Sequence, residues 1–263
     1  MNYELRNYKF VFRERSSVYN AFGSSAQSRE LATSTSTQAR RKEYAGGEVM
    51  LHRAILCLAM LVLGTLSARA QSGDWKQLFN GKDMTGWEHV GPGGFEVEDG
   101  LLKPHGGMGL LSYTPEKIGN AAIRIVFKPP RNNSNSGVFI RIPEKPTEPW
   151  MPVNRGYEVQ IDNADDDYHC TGVLYSLTKA MARPEKAGEW NTMEITLDGP
   201  RTVVTLNGVK VTDYTEGEPV PAKKKSYEPD RGRRPDEGYI GLQNHSDNDV
   251  VYFREVAVRP LSH

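Results

Sequence analysis

From Phe95 onward the chain alternates apolar and polar positions in short runs separated by turn residues. Phe95-Glu96-Val97-Glu98 leads into Asp99-Gly100 and then Leu101-Leu102. The segments 122–127 (AIRIVF), 137–142 (GVFIRI), 157–161 (YEVQI), 172–176, 192–197 (TMEITL), 202–206 (TVVTL), 209–212, 239–243 and 250–258 follow the same style. A period of two is the period of a strand. Asp99-Gly100 and Asn207-Gly208 sit between such runs, and both dipeptides favour the tight turns of hairpins. No 12-residue stretch holds a clear 3.6 period, and no internal repeat is visible. Many short strands with frequent turns predict an all-β fold, an antiparallel β-sandwich or jelly roll, in one domain. Two longer connections interrupt it. Residues 143–155 (PEKPTEPWMPVNR) hold four prolines and cannot be a central strand. Residues 223–238 (KKKSYEPDRGRRPDEG) are a charge run, read first as a solvated connection and second as a cleft rim. Trp150 and Tyr227 are the residues that would suit such rims to sugar faces.

The N-terminal part has a different pattern. Residues 54–66 read AILCLAMLVLGTL, with His52-Arg53 before and Ser67-Ala68-Arg69-Ala70 after. A basic start, a short apolar core and an A-x-A end make residues 50–70 a secretory signal peptide. The core is shorter than the ~20 residues of a membrane span; an uncleaved anchor is the alternative. No Cys stands at the cleavage point, so a lipoprotein is not expected. Residues 24–41 are rich in Ser, Thr, Ala and Gln and cannot bury enough apolar surface to fold. The expectation is that residues 1–49 are an extension upstream of the true start at Met50. Residues 71–263 are then the working domain, periplasmic or secreted, with no stable membrane insertion after cleavage.

Charge narrows the partners. Residues 1–70 carry 10 of the 33 basic and 5 of the 33 acidic residues, so the remainder has 23 and 28, a net of −5. A mildly acidic domain is a poor partner for nucleic acid, whose binding rests on phosphate neutralisation. Of the two cysteines only Cys170 lies in the working domain, which therefore has no internal disulfide. Cys170 reads as a buried small hydrophobe rather than a catalytic thiol.

The strand faces carry the candidate chemistry. In residues 157–162, Glu158, Gln160 and Asp162 share one face, opposite Tyr157, Val159 and Ile161. A row of two acids and an amide suits a polar cleft that binds sugar hydroxyls, or a hard cation such as calcium through oxygen ligands. Asn135, Gly137, Phe139 and Arg141 share a face, and Arg141 there needs an acid, Glu158 or Asp162. Gly241, Gln243 and His245 also share a face, opposite Ile240 and Leu242. Glycines beside these groups leave room for a ligand. A histidine aligned with an acidic strand is a candidate general base. There is no G-x-S-x-G, His-Glu-x-x-His, phosphate loop or cysteine metal cluster, so serine hydrolases, zincins and nucleotide binders are disfavoured. Glu158 and Asp162 as a glycosidase pair would stand about 13 Å apart along a strand at ~3.3 Å per residue. A retaining pair needs ~5 Å.

Eight segments in order resemble one family. They are Leu78 to Trp87 (LFNGKDMTGW), Phe95 to Leu101, Asn135-Ser136-Gly137 with Arg141, Gly156 to Asp162 (GYEVQID), Thr171 to Tyr175 (TGVLY), Glu189-Trp190-Asn191, Leu206-Asn207-Gly208, and Gly241 to His245 (GLQNH) with Val251 to Arg254 (VYFR). The chain resembles the 3-keto-disaccharide hydrolase domain family over nearly all of residues 74–261. That resemblance implies a concanavalin A-like jelly roll. It also implies exported bacterial proteins that cleave 3-keto-glycosides, sugars first oxidised at C3 by a partner oxidoreductase. A divalent cation near the ketone would act as a Lewis acid. Phe95, Ser246 and Glu255 depart from the family pattern, which has Trp, Gly and Asn there.

Strand facing then distributes the roles. His245, Glu158 and Asp162 are the catalytic candidates and, together, the candidate ligands of a cation. Arg141, Gln160, Gln243, Asn135, Tyr175 and Trp150 are the candidate substrate contacts. The leading expectation is a hydrolase of 3-keto-glycosides, working by hydrolysis or by elimination and hydration. The alternative is a non-catalytic lectin-like carbohydrate-binding module, since one fold serves many functions; a structural surface protein fits the polar row less well. Intact-mass measurement should give a precursor that begins at Met50 and an exported form that begins at Gln71.

Overall fold

The computed structural model describes residues 75–261. The expected signal peptide and N-terminal extension lie outside the described residues. The alternating runs become strands β1 (Lys76–Gln77), β2 (Trp87–Val90), β3 (Gly94–Glu98), β4 (Leu101–His105), β5 (Gly109–Ile118), β6 (Ala121–Lys128), β7 (Ser136–Ile142), β8 (Tyr157–Ile161), β9 (Asn191–Asp198), β10 (Arg201–Leu206), β11 (Val209–Thr215), β12 (Gly238–Asn244) and β13 (Tyr252–Pro260). A six-residue helix, α1 (Trp150–Arg155), precedes β8.

Two antiparallel sheets form. One runs β11-β10-β9-β6-β13-β4-β3, with β1 on β13; the other runs β2-β5-β12-β7-β8. Asp99 and Gly100 (φ 52° and 79°) and Asn207 and Gly208 (φ 52° and 79°) both take the left-handed conformation that a two-residue hairpin turn demands. The main core lies between the sheets. Ile123, Ile125, Phe127, Met193, Ile195 and Phe253 from the larger sheet meet Val138, Ile140, Tyr157, Val159, Ile240 and Leu242 from the smaller. A second apolar cluster of Leu110, Phe139, Ile142, Met151 and Val153 lies on the other face of the smaller sheet, beneath α1. Both faces of β7 and β8 are therefore buried. Cys170 is buried in the main core, as expected of a small hydrophobe.

Three expectations are corrected. Residues 172–176 are not a regular strand. They run along β8 through one bridge, Val159 to Leu174, with Gly172 and Ser176 at positive φ. The proline-rich connection contains α1, whose Trp150, Met151 and Val153 pack on the sheet or line its pocket. The charge run 223–238 is not merely solvated. Arg234 is buried and donates to the carbonyls of Gly156, Gly232, Asn154 and Asp230, and Arg231 donates to those of Pro221, Pro229 and Ser176.

Arg141 is the main departure. Tyr239 pairs with Ile142 and Gly241 with Phe139, so β7 carries one extra residue there. This is a β-bulge. Arg141 sits in it at φ 55°, and its side chain turns to the core side, out of register with Phe139. It is fully buried. Its guanidinium donates to the carbonyls of Pro235 (2.9 Å), Gly199 (2.8 Å) and Arg201 (3.1 Å) and to Thr202 Oγ1 (3.3 Å). Its carboxylate neighbour is Asp236 at 3.8 Å, not Glu158 or Asp162. Gly238 permits the bulge, because a Cβ there would lie 2.3 Å from the Arg141 carbonyl carbon. The expected role of Arg141 as a substrate contact is replaced by a structural one, tying the ends of the two sheets together. An Arg141→Met variant strands several buried acceptors, each costing about 1–3 kcal/mol. Urea denaturation should show a loss of about 3 kcal/mol or more, with ligand affinity unchanged in the folded fraction.

Candidate active site

The pocket forms on the face of the smaller sheet turned away from the main core. Strand pairing sets its floor. Gly137 lies opposite Gln160, and Phe139 lies between Glu158 and Gly241. The pleat therefore brings Glu158 and Gln160 of β8 beside Gln243 of β12, with Gly137 between them. A Cβ on Gly137 would stand 2.4 Å from Glu158 Oε1, so glycine is what admits the Glu158 side chain over β7. The lining is Met108, Asn135, Trp150, Val153, Glu158, Gln160, Tyr175, Tyr227, Gln243 and His245. About 390 Å³ of empty space lies within this lining, part of it open solvent.

Of the candidates read from the sequence, Glu158, Gln160, Gln243, His245, Asn135, Tyr175 and Trp150 line this one pocket. Tyr227 joins them from the stapled 223–238 loop. Trp150 (43% exposed) and Tyr227 (53% exposed) form the rim. Two candidates are elsewhere. Arg141 is in the core, as described. Asp162 stands one residue beyond the end of β8, where the strand alternation no longer holds its side chain in the row. Its carboxylate accepts from Ala164 N–H at 2.9 Å, and its own N–H donates to Thr171 Oγ1 at 2.9 Å.

Burial dominates the electrostatics of Glu158. Desolvation pushes its carboxyl up to about 8, with a hydrogen bond from the Gln243 amide acting the other way. With its amide nitrogen turned inward, Gln160 donates to Glu158 Oε1 and to Ser136 O, each at 3.1 Å. Burial thus favours the protonated form of Glu158 at neutral pH, and among the described residues its polar neighbours are the neutral amides of Gln160 and Gln243, with no cation paired to it. Asn135 Oδ1 and Gln243 Oε1 are buried and lack partners. Both residues line the pocket, while these two oxygens are themselves covered by protein atoms.

His245 closes one side. Its Nδ1 lies 2.8 Å from Asp249 Oδ2, and the same oxygen accepts from Ser246 Oγ at 2.6 Å. Asp249 Oδ1 accepts from the Asn135 N–H at 3.2 Å. Burial would raise the Asp249 carboxyl, but the hydrogen bonds from Ser246, His245 and Asn135 outweigh it and hold it below the ordinary value. Sequence reasoning missed Asp249; its spacing of four from His245 in one loop was the available signal. It also missed Met108 and Val153 of the lining, and, outside the lining, Glu185. Glu185 is a second desolvated carboxyl, pushed up to about 7 by burial and held by the Thr171 hydroxyl.

The expected cation set does not assemble. Among the described residues, the three that bring ligand atoms within 4.8 Å of one another are Asp165, Asp166 and His169, not Glu158, Asp162 and His245. Those three lie outside the pocket lining, and the Asp165 and Asp166 side chains are exposed.

A family profile for the 3-keto-alpha-glucoside-1,2-lyase-like domain matches residues 74–259. The chain belongs to this family. Two structures of a candidate glycosyl hydrolase from Parabacteroides distasonis ATCC 8503 are similar to this lyase-like domain. Each is 26% identical with a TM-score of 0.59, over 72% of this chain and 94% or 100% of theirs. A Bacillus subtilis protein with a galectin-like fold, 13% identical over 71% of this chain and 98% of its own with a TM-score of 0.52, shares the fold. No curated protein matches the chain. The sandwich is therefore the galectin-like, concanavalin A-like jelly roll that the resemblance implied.

The raised Glu158 group links the pocket to stability. The folded state holds the proton more tightly than the unfolded state, whose carboxyl has its ordinary value of 4.5. That contribution is complete below about pH 4.5 and is lost as pH rises through about 8. Urea titrations at pH 5 and pH 8.5 should show Glu158→Gln removing on the order of 3–5 kcal/mol of this pH dependence. The comparison between the two proteins isolates Glu158 from Glu185, whose slope has the same sign.

Proposed function

We propose that this domain cleaves the glycosidic bond of 3-keto-glycosides by elimination across C1 and C2. One observation carries the reading: a carboxyl that stays protonated near neutral pH and a histidine anchored through its far nitrogen line the same small pocket. The family description supports the substrate class.

A ketone at C3 acidifies the proton on C2. His245 Nε2 takes that proton, and the C–H electron pair becomes the C2–C3 enolate. The enolate collapses to form the C1–C2 double bond. The C1–O bond breaks and its electron pair goes to the glycosidic oxygen. Glu158 gives that oxygen its proton, so the leaving group departs as an alcohol. The other product is a 1,2-unsaturated 3-keto sugar, and water adding at C1 converts it to the free 3-keto sugar. Solvent exchange returns a proton to Glu158 and takes one from His245. Asn135, Gln160, Tyr175 and Gln243 line the pocket and supply the polar contacts for sugar hydroxyls. Trp150 and Tyr227 present aromatic faces to the C–H faces of the sugar. The signal-peptide pattern of residues 50–70 supports export, which puts the reaction outside the cytoplasm.

The second reading, a carbohydrate-binding module without catalysis, draws on the exposed aromatic rim. A 3-keto-glucoside with a chromogenic leaving group separates the two. Release by the wild type is expected, with activity falling as pH rises through about 8, where Glu158 loses its proton. Glu158→Gln should lower kcat by about 10²–10⁴ for an alkyl or sugar leaving group. The loss should be smaller for a nitrophenol, which departs without help. Binding without release would favour the module, and full activity in Glu158→Gln would remove the acid.

A further inference from the structure

We infer that Asp249 fixes the tautomer of His245, and that the backbone of Asn135 in turn fixes Asp249. The inference rests on reading His245 as the base, and adds a positioning residue to it.

His245 follows directly on β12 and is half-exposed, so packing alone does not hold its ring. Its orientation comes from the contact of Nδ1 with Asp249 Oδ2 at 2.8 Å. An ionised carboxylate only accepts hydrogen bonds, so Nδ1 must carry the proton. A neutral ring then has its lone pair on Nε2, the nitrogen left for the pocket. Both oxygens of Asp249 are engaged. Oδ2 takes the Ser246 hydroxyl at 2.6 Å as well as His245, and Oδ1 takes the Asn135 N–H at 3.2 Å. Three donors from three residues hold the carboxylate in one orientation. Asn135 also lines the pocket with its side chain, so one residue both shapes the pocket wall and sets the support of the histidine.

Asp249→Asn is close to isosteric and reverses the logic. The Asn135 N–H needs an acceptor, so it claims the single amide oxygen. The amide nitrogen then faces His245 Nδ1 as a donor, and the ring must take the Nε2–H form. That form has no lone pair toward the pocket. A wrong tautomer in an otherwise intact site lowers kcat by up to ~10⁴ in a well-studied hydrolytic triad.

The test is ¹⁵N-histidine NMR of the whole domain, with His245 assigned by comparison with His245→Gln, read beside kcat and KM on the chromogenic 3-keto-glucoside. The wild type should show His245 as the Nδ1–H form. Asp249→Asn should show the Nε2–H form, with kcat down 10²-fold or more and KM little changed. A wild-type His245 in the Nε2–H form overturns the inference without any Asp249 variant, as does an unchanged tautomer in a folded Asp249→Asn. If the tautomer reverses while kcat stays at the wild-type value, the positioning stands and His245 is not the base.

Discussion

Glu158 is buried on a strand whose other face is also buried. A carboxyl in that position cannot hold a charge cheaply, because desolvation penalises the ionised form. The surroundings answer with neutral amides from Gln160 and Gln243 rather than with a cation. Arg141, the arginine nearest in the β7 motif, is turned into the core by the bulge. Glycine at 137 leaves the room the side chain needs. The protonated acid follows from the two-sided burial of β8, and the bulge in β7 takes Arg141 away from it.

The two faces of the smaller sheet divide the work. One packs against the larger sheet and supplies stability through Val138, Ile140, Val159, Ile240 and Leu242. The other carries the pocket and, beside it, the smaller apolar cluster under α1. Loops complete the pocket and are tied down where they do so. Arg231 and Arg234 staple the 223–238 segment that presents Tyr227, and Asp249 ties the loop after β12 to Asn135 before β7. A site made of loop residues thus gains the rigidity of the scaffold through hydrogen bonds to backbone groups.

The proposed elimination would move one proton off carbon and another onto oxygen, tasks assigned in that proposal to His245 and Glu158. Desolvation keeps Glu158 protonated, whereas an anchored carboxylate orients His245.

The alternating pattern alone determined the sandwich, the hairpins at Asp99-Gly100 and Asn207-Gly208, and the facing of Glu158 with Gln160 and of Gln243 with His245. These follow from the pleat, which is local and has a fixed period. Where the pleat stops or slips, the sequence misled. Arg141 sits at a bulge whose extra residue is defined only by pairing with β12, and Asp162 lies one residue past the end of a strand. The anchoring of His245 by Asp249, the burial that keeps Glu158 protonated and the stapling of a charged loop depend on atoms brought together from distant segments. Only the tertiary structure could decide them, because desolvation and hydrogen-bond partnership are properties of the packed chain and not of residue order.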